Sequence, residues 1–145
     1  VPDVALTTDI ICGFPGETDE EFEQTLAAVA DIRYSSAFMF YYQTRPGTKA
    51  EAFEGMLPIE ERKARLRRLI DLQQKISKDV NQTYLDKEVS VLVEQTSRRD
   101  KAVLAGRTAH DKTILFAGGI ELVGTRVKVR CKKADAWTLH GELVS

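Results

Sequence analysis

The sequence is short of the residues that staple or puncture a fold. In 145 residues there are two cysteines, one tryptophan, two histidines and four prolines. Cys12 and Cys131 stand far apart, so they offer neither a disulfide framework nor a metal spacing, and two thiols on apolar strand positions suit a reducing compartment. No apolar run approaches the roughly 20 residues a membrane helix requires, and no secretory leader is recognisable, so the expectation is a cytoplasmic protein with no membrane partner. His110 and His140 each stand alone in mixed or polar surroundings and read as surface or structural residues. Nothing assembles a nucleophile, a base and an orienting acid.

What is present is the composition of a globular protein, 43% hydrophobic and 30% charged, with a formal charge of −1. That near-neutral total hides an asymmetry. Residues 1–82 carry 10 Lys and Arg against 14 Asp and Glu, giving −4, whereas residues 83–145 carry 11 against 8, giving +3. Two different regions are expected, divided near residue 82. The chain opens on Val1-Pro2 without an initiator methionine, as a piece of a longer protein would.

The first region is organised by Thr7 to Thr18, an apolar run that stops in Gly13-Phe14-Pro15-Gly16 and reopens as a helix. The spacing of Thr18 and Glu21 predicts a capping box at the start of that helix. A loop at a strand-to-helix handover is where α/β folds place ligands. Glu17, Asp19, Glu20 and Glu21 answer the positive end of the helix dipole and would repel a phosphate, so a neutral or cationic ligand is easier to accommodate. The plainer alternative is a well-capped connection that binds nothing.

Phe22, Leu26 and Val29 give that helix, Asp19 to Ile32, an apolar stripe, and the aromatic run Ala37 to Tyr42 reads as a second strand. Strand, helix, strand at this spacing predicts a parallel pair. Pro58 opens a second helix of about 25 residues whose buried side carries Leu66, Leu69, Ile70, Ile76 and Val80. Its cations Arg62, Lys63, Arg65, Arg67 and Arg68 read as a solvated face laced with pairs such as Glu61 to Arg65. Two parallel strands are not stable alone, which makes residues 1–82 the tail of a larger α/β barrel.

From Tyr84 the hydrophobic period changes to two. Segments starting at Glu88, Val103, Thr113, Arg126 and Thr138 predict five short strands, punctuated by Gly118-Gly119 and Gly124, and suggest a small closed antiparallel barrel of OB-like type. The fourth segment, Arg126-Val127-Lys128-Val129-Arg130-Cys131-Lys132, alternates cation with apolar residue throughout. One face joins the core, and the other presents Arg126, Lys128, Arg130 and Lys132 about 6.8 Å apart, comparable with the phosphate spacing of a nucleic-acid strand. Arg98, Arg99, Lys101, Arg107 and Lys133 could extend that patch; the alternative is an ordinary solvated strand. Trp137, just before the last strand, reads as a core plug rather than a base-stacking platform.

The order and spacing of Thr8 to Thr18, Phe38 to Tyr42 with Arg45-Pro46-Gly47-Thr48, Ile76-Ser77 through Asn81, and Gly106-Arg107-Thr108 resemble the carboxyl-terminal half of the radical-SAM methylthiotransferases. The resemblance implies an α/β plus all-β chain. Residues 1–82 would be the last two β/α units of a partial TIM-type radical-SAM barrel, and residues 83–145 a five-stranded antiparallel OB-like barrel, the TRAM domain. It implies S-adenosylmethionine and 4Fe-4S clusters as cofactors and insertion of a methylthio group at an unactivated C–H bond. Among the branches it favours the one acting on isopentenyl-adenosine beside the tRNA anticodon, because a cationic strand suits RNA better than a basic ribosomal protein. Branches modifying threonylcarbamoyl-adenosine or a ribosomal protein, and a non-catalytic RNA-binding module, are the alternatives. The implied partner is the tRNA anticodon stem-loop, not DNA. Ile11, Gly13 and Glu17 fall on the motif that contacts the adenosyl part of the cofactor, with Asp9 in the place of its first glycine. Arg126, Lys128, Arg130, Lys132 and Arg107 are the candidate RNA-binding residues. The three-cysteine run that ligates the cluster is absent, so the chain alone is expected to be inactive.

Overall fold

A computed structural model describes residues 3–97 and 100–144, which form two units: residues 5–76, and residues 77–144 together with Asp3 and Val4.

In the first unit the apolar run becomes β1 (Thr7–Cys12), which pairs in parallel with β2 (Ser36–Tyr41), Asp9 opposite Phe38 and Ile11 opposite Phe40. The crossover between them is α1 (Asp19–Ile32), and its start is fixed by the capping box expected from the sequence. Thr18 Oγ1 accepts the Glu21 amide at 3.2 Å, and the Glu21 carboxylate accepts the Thr18 amide at 2.8 Å. The helix ends at Arg33, whose left-handed φ of 55° stops further winding. The second helix, α2, spans Ile59–Gln82. Pro58 lies one residue outside it rather than at its first position, and the Pro58 carbonyl accepts the amides of Glu61 and Arg62. Cys12, Phe22, Val29, Tyr42, Leu69 and Ile76 form the buried set of this unit. The opposite side of the two-stranded sheet is bare, with Ile11, Phe38 and Phe40 all more than half exposed. These residues contain no closed α/β barrel.

The second unit is a closed barrel of β3 (Glu88–Thr96), β4 (Val103–Thr108), β5 (Thr113–Ala117), β6 (Arg126–Ala134) and β7 (Leu139–Leu143), in the order β3-β4-β5-β7-β6. All five strands coincide with the period-two segments of the sequence. The barrel is nevertheless mixed rather than antiparallel, because β5 and β7 run parallel while the other four neighbouring pairs are antiparallel. The reason is parity. Around a closed ring, directions can alternate without a break only if the strand number is even, so five strands force one parallel neighbour pair. The chain places that pair where β7 inserts between β5 and β6 in the ring.

Val91, Val93, Leu104, Ile114, Phe116, Val129, Cys131 and Leu139 fill the barrel, each full burial contributing roughly 1.5–3 kcal/mol for a side chain of Val to Phe size. Two glycines let strands close up. A Cβ on Gly106 would lie 2.5 Å from the Leu92 carbonyl oxygen, and one on Gly141 2.5 Å from that of Arg130. Bulges at Val93/Gln95 and Cys131/Lys133 add local bend where the ring turns.

Candidate nucleic-acid interface and ligand loop

The loop after β1 is held by its own residues. Gly13 adopts φ +68°, and a Cβ there would meet Arg62 Cγ at 2.6 Å, so the turn requires glycine twice over. Its amide donates to Glu17 Oε2 at 2.7 Å, and Arg65 Nη1 donates to the same oxygen at 2.6 Å. Arg65 Nη2 reaches Asp19 at 2.7 Å and Glu61 at 3.0 Å, and its guanidinium lies 5.4 Å from the Phe22 ring centre. Burial opposes charge on Arg65, yet the hydrogen bond and charge of Glu17, with Asp19 and Glu61, outweigh it and raise the pKa.

Arg65 therefore corrects the reading of α2 as a solvated cationic face. The Glu61 pair forms, but Arg65 is only 5% exposed and anchors the loop. The signal was in the spacing, since residue 65 precedes Leu69, Gln73 and Ile76 by 4, 8 and 11 positions, on one helical stripe.

Of the three residues aligned with the adenosyl-contacting motif, Ile11 presents its side chain on the bare apolar side of the sheet. The Gly13 amide and Glu17 carboxylate are engaged with each other. Ile11 shares that open side with exposed Phe38 and Phe40, an apolar surface whose chemistry fits a flat nucleoside base. An iron-sulfur cluster does not fit the cysteines. Both are buried and free, they belong to different units, and no group of three or more metal-ligating side chains occurs among the described residues. Burial, then the nearby Glu17 charge, pushes the Cys12 thiol up to about 11, and burial raises Cys131 as well, which disfavours the thiolate a metal needs.

On the barrel, β6 turns Arg126, Lys128, Arg130 and Lys132 to solvent, with Val129 and Cys131 inside. Their neighbours on β3 are Leu92 opposite Arg126, Ser90 opposite Lys128 and Glu88 opposite Arg130. Arg130 is thus already partnered, its Nη2 2.5 Å from Glu88 Oε1. The bond to Arg130 lowers the Glu88 pKa, and the same bond raises that of Arg130. Lys132 sits at the bulge, where the even-numbered alternation breaks and Lys133 is exposed beside it. Arg107 lies opposite Leu92 on β4 and approaches Glu94 at 3.6 Å and Asp111 at 3.5 Å. Arg126 and Lys128 form the part of the stripe with no acidic residue across from them on β3. Arg98 and Arg99 lie outside the described residues.

A polar cleft of about 230 Å³ opens beside β3, lined in part by Tyr84, Lys87, Glu88, Ser90, Thr108 and His110. His110 Nδ1 is 2.7 Å from the Tyr84 hydroxyl and its Nε2 2.8 Å from the Asp3 carbonyl, which gives it a structural place. Trp137 corrects a second expectation. It does not plug the core but stands 69% exposed in the turn between β6 and β7.

Residues 82–144 match the family model described as the TRAM domain. The barrel is a TRAM domain. Over its whole length the chain is also similar to tRNA-2-methylthio-N(6)-dimethylallyladenosine synthases. It is 43% identical to that of Acetivibrio thermocellus, covering 99% of this chain and 30% of the relative. It is 46% identical to that of Moorella thermoacetica, covering 99% and 32%, and 47% identical to that of Geobacillus kaustophilus, covering 100% and 27%. These relatives bear out the resemblance to methylthiotransferases, and the chain spans about a third of their length. No helix among the described residues is long and apolar enough to cross a membrane.

Proposed function

We propose that this chain is the carboxyl-terminal part of a cytoplasmic tRNA methylthiotransferase, in which residues 83–145 hold the anticodon stem-loop of tRNA and residues 1–82 complete a radical-SAM barrel built largely from upstream sequence. The observation that carries the RNA half of this reading is the exposed cationic row of β6 on a TRAM barrel, with Arg126 and Lys128 facing no acid across the strand pair. Phosphates are the partner that such a row attracts without base selection. Arg130, Lys132 and Arg107 extend it, Arg130 after release from Glu88.

In the complete protein, S-adenosylmethionine and 4Fe-4S clusters would supply the radical chemistry that inserts the methylthio group at C2 of isopentenyl-adenosine. The residues of this chain contribute position. Ile11 offers apolar contact to the adenosyl group, while Gly13 and Glu17, locked to Arg65, keep the loop shape that leaves this face open. The clusters are assigned to upstream residues, since Cys12 and Cys131 serve the packing of two separate cores, and the chain alone is expected to lack activity.

Replacing Arg126 and Lys128 by Gln tests the RNA reading. Titration with anticodon stem-loop RNA at several salt concentrations should show weaker binding and a salt slope shallower by up to about two, given roughly 0.7–0.9 per lost phosphate contact. Wild-type affinity and slope in the double variant would overturn it. For the complete protein, mass spectrometry of tRNA from a deletion strain should show isopentenyl-adenosine without its methylthio group. Loss of the group from threonylcarbamoyl-adenosine, or from a ribosomal protein, would reassign the substrate.

A further inference from the structure

We propose that Trp137 is a stacking platform for an unpaired nucleobase of the RNA bound along β6, an inference that rests on the RNA reading above and adds a base contact to the phosphate contacts. A 69% exposed indole is a large apolar surface to leave in water, and here it is presented on a turn built to hold it. The Asp135 carboxylate accepts the amides of Trp137 and Thr138, both at 2.8 Å. The Asp135 amide donates to the Thr138 carbonyl at 3.0 Å. The Asp135 carbonyl is in turn gripped at 2.8 Å by Nδ2 of Asn81, a side chain only 1% exposed. The turn is thus tied into the interior of its own unit, and the ring is offered from a fixed base at little ordering cost.

Its position on the strand selects the occupant. The turn continues directly from β6, where Arg126, Lys128, Arg130, Lys132 and Lys133 run toward it along a strand of about 3.4 Å per residue. A nucleic-acid backbone following those cations reaches the end of β6 at Ala134, about two residues or roughly 7 Å beyond Lys132, where the turn bearing Trp137 begins. Aromatic rings at the end of a cationic track receive bases whatever their identity, because every base has a π-face. A paired base has both faces covered by its neighbours in the stack, so the occupant is an unpaired nucleotide such as those of a hairpin loop.

Trp137 is the chain's single tryptophan, so its fluorescence reports on this position alone. The chain is titrated with an end-labelled anticodon stem-loop and with the same stem closed by an abasic loop, reading RNA anisotropy and tryptophan emission together. Both RNAs should raise the anisotropy, and only the loop with bases should quench the emission. Trp137→Ala keeps the backbone amide that Asp135 binds. It should weaken the stem-loop by roughly 5- to 150-fold, leave the abasic RNA and the salt slope unchanged, and so erase the preference between them. Trp137→Phe should recover part of the loss. Binding without quenching, or equal weakening of both RNAs by Trp137→Ala, overturns the stacking proposal and leaves the phosphate reading intact. No anisotropy change with either RNA overturns both.

Discussion

Every strand of the TRAM barrel has two neighbours, whereas β1 and β2 of residues 5–76 have one each. The consequence is visible in the side chains. Barrel strands alternate between a filled interior and a solvated exterior, and the exterior of β6 is cationic. On the two-stranded sheet, the side turned away from the helices shows Ile11, Phe38 and Phe40 to solvent. Closure lets the barrel commit its outer surface to a partner. The parallel pair instead keeps an apolar face that only further protein or a ligand can cover. The first unit adds to its buried apolar set a polar anchor, Arg65 with its three carboxylates, whereas the core cluster of the barrel is apolar.

That contrast can be broken at its strongest point. Arg65→Met removes the partner of the largely buried Glu17, and loss of one side of a buried ion pair costs about 3–5 kcal/mol. Chemical denaturation followed by hydrogen exchange should show residues 5–76 losing protection while the barrel strands keep theirs. Equal loss in both units would mean that they unfold as one and that the contrast is only geometric.

A smaller effect sharpens the comparison on the barrel side. Burial alone would raise the Asp135 carboxyl, but the amides of Trp137 and Thr138 and the neighbouring His140 outweigh it and hold the pKa below its ordinary value. A depressed folded-state pKa stabilises above the unfolded value of about 3.9 and loses that contribution as pH falls through the folded value. The wild-type barrel should therefore be more stable than Asp135→Asn at pH 7, and the gap should close below about pH 4. Melting curves across that range check it, and a gap independent of pH would show that the carboxylate charge plays no part.

The smallest expected change is at the cationic row itself. Glu88→Gln frees Arg130 from its cross-strand partner, which should tighten stem-loop RNA binding by a few-fold and steepen the salt slope by up to about one. The fold should hardly notice, since exposed substitutions usually alter stability by under roughly 0.5 kcal/mol. Binding weaker than wild type would mean that Glu88 positions Arg130 rather than masking it.

The sequence alone determined what depends on local order. Period-two and period-3.6 patterns placed the strands and helices, and a threonine three residues before a glutamate placed the start of α1. Alternation also set which residues of β6 face solvent, because a strand cannot turn two successive side chains to one side without a bulge. Such features are encoded within a few residues, where backbone geometry leaves little choice. What tertiary structure decided were the pairings between distant segments. Whether Arg65 meets water or Glu17 depends on residues 48 positions apart in the chain, and whether Arg130 is free depends on the register of β3 against β6. The direction of β7 follows from ring closure, a property of all five strands together. Trp137 stands outside on a turn whose Asp135 carbonyl is held by Asn81, and no local pattern distinguishes an indole buried in a core from one that a hydrogen-bonded turn presents to solvent.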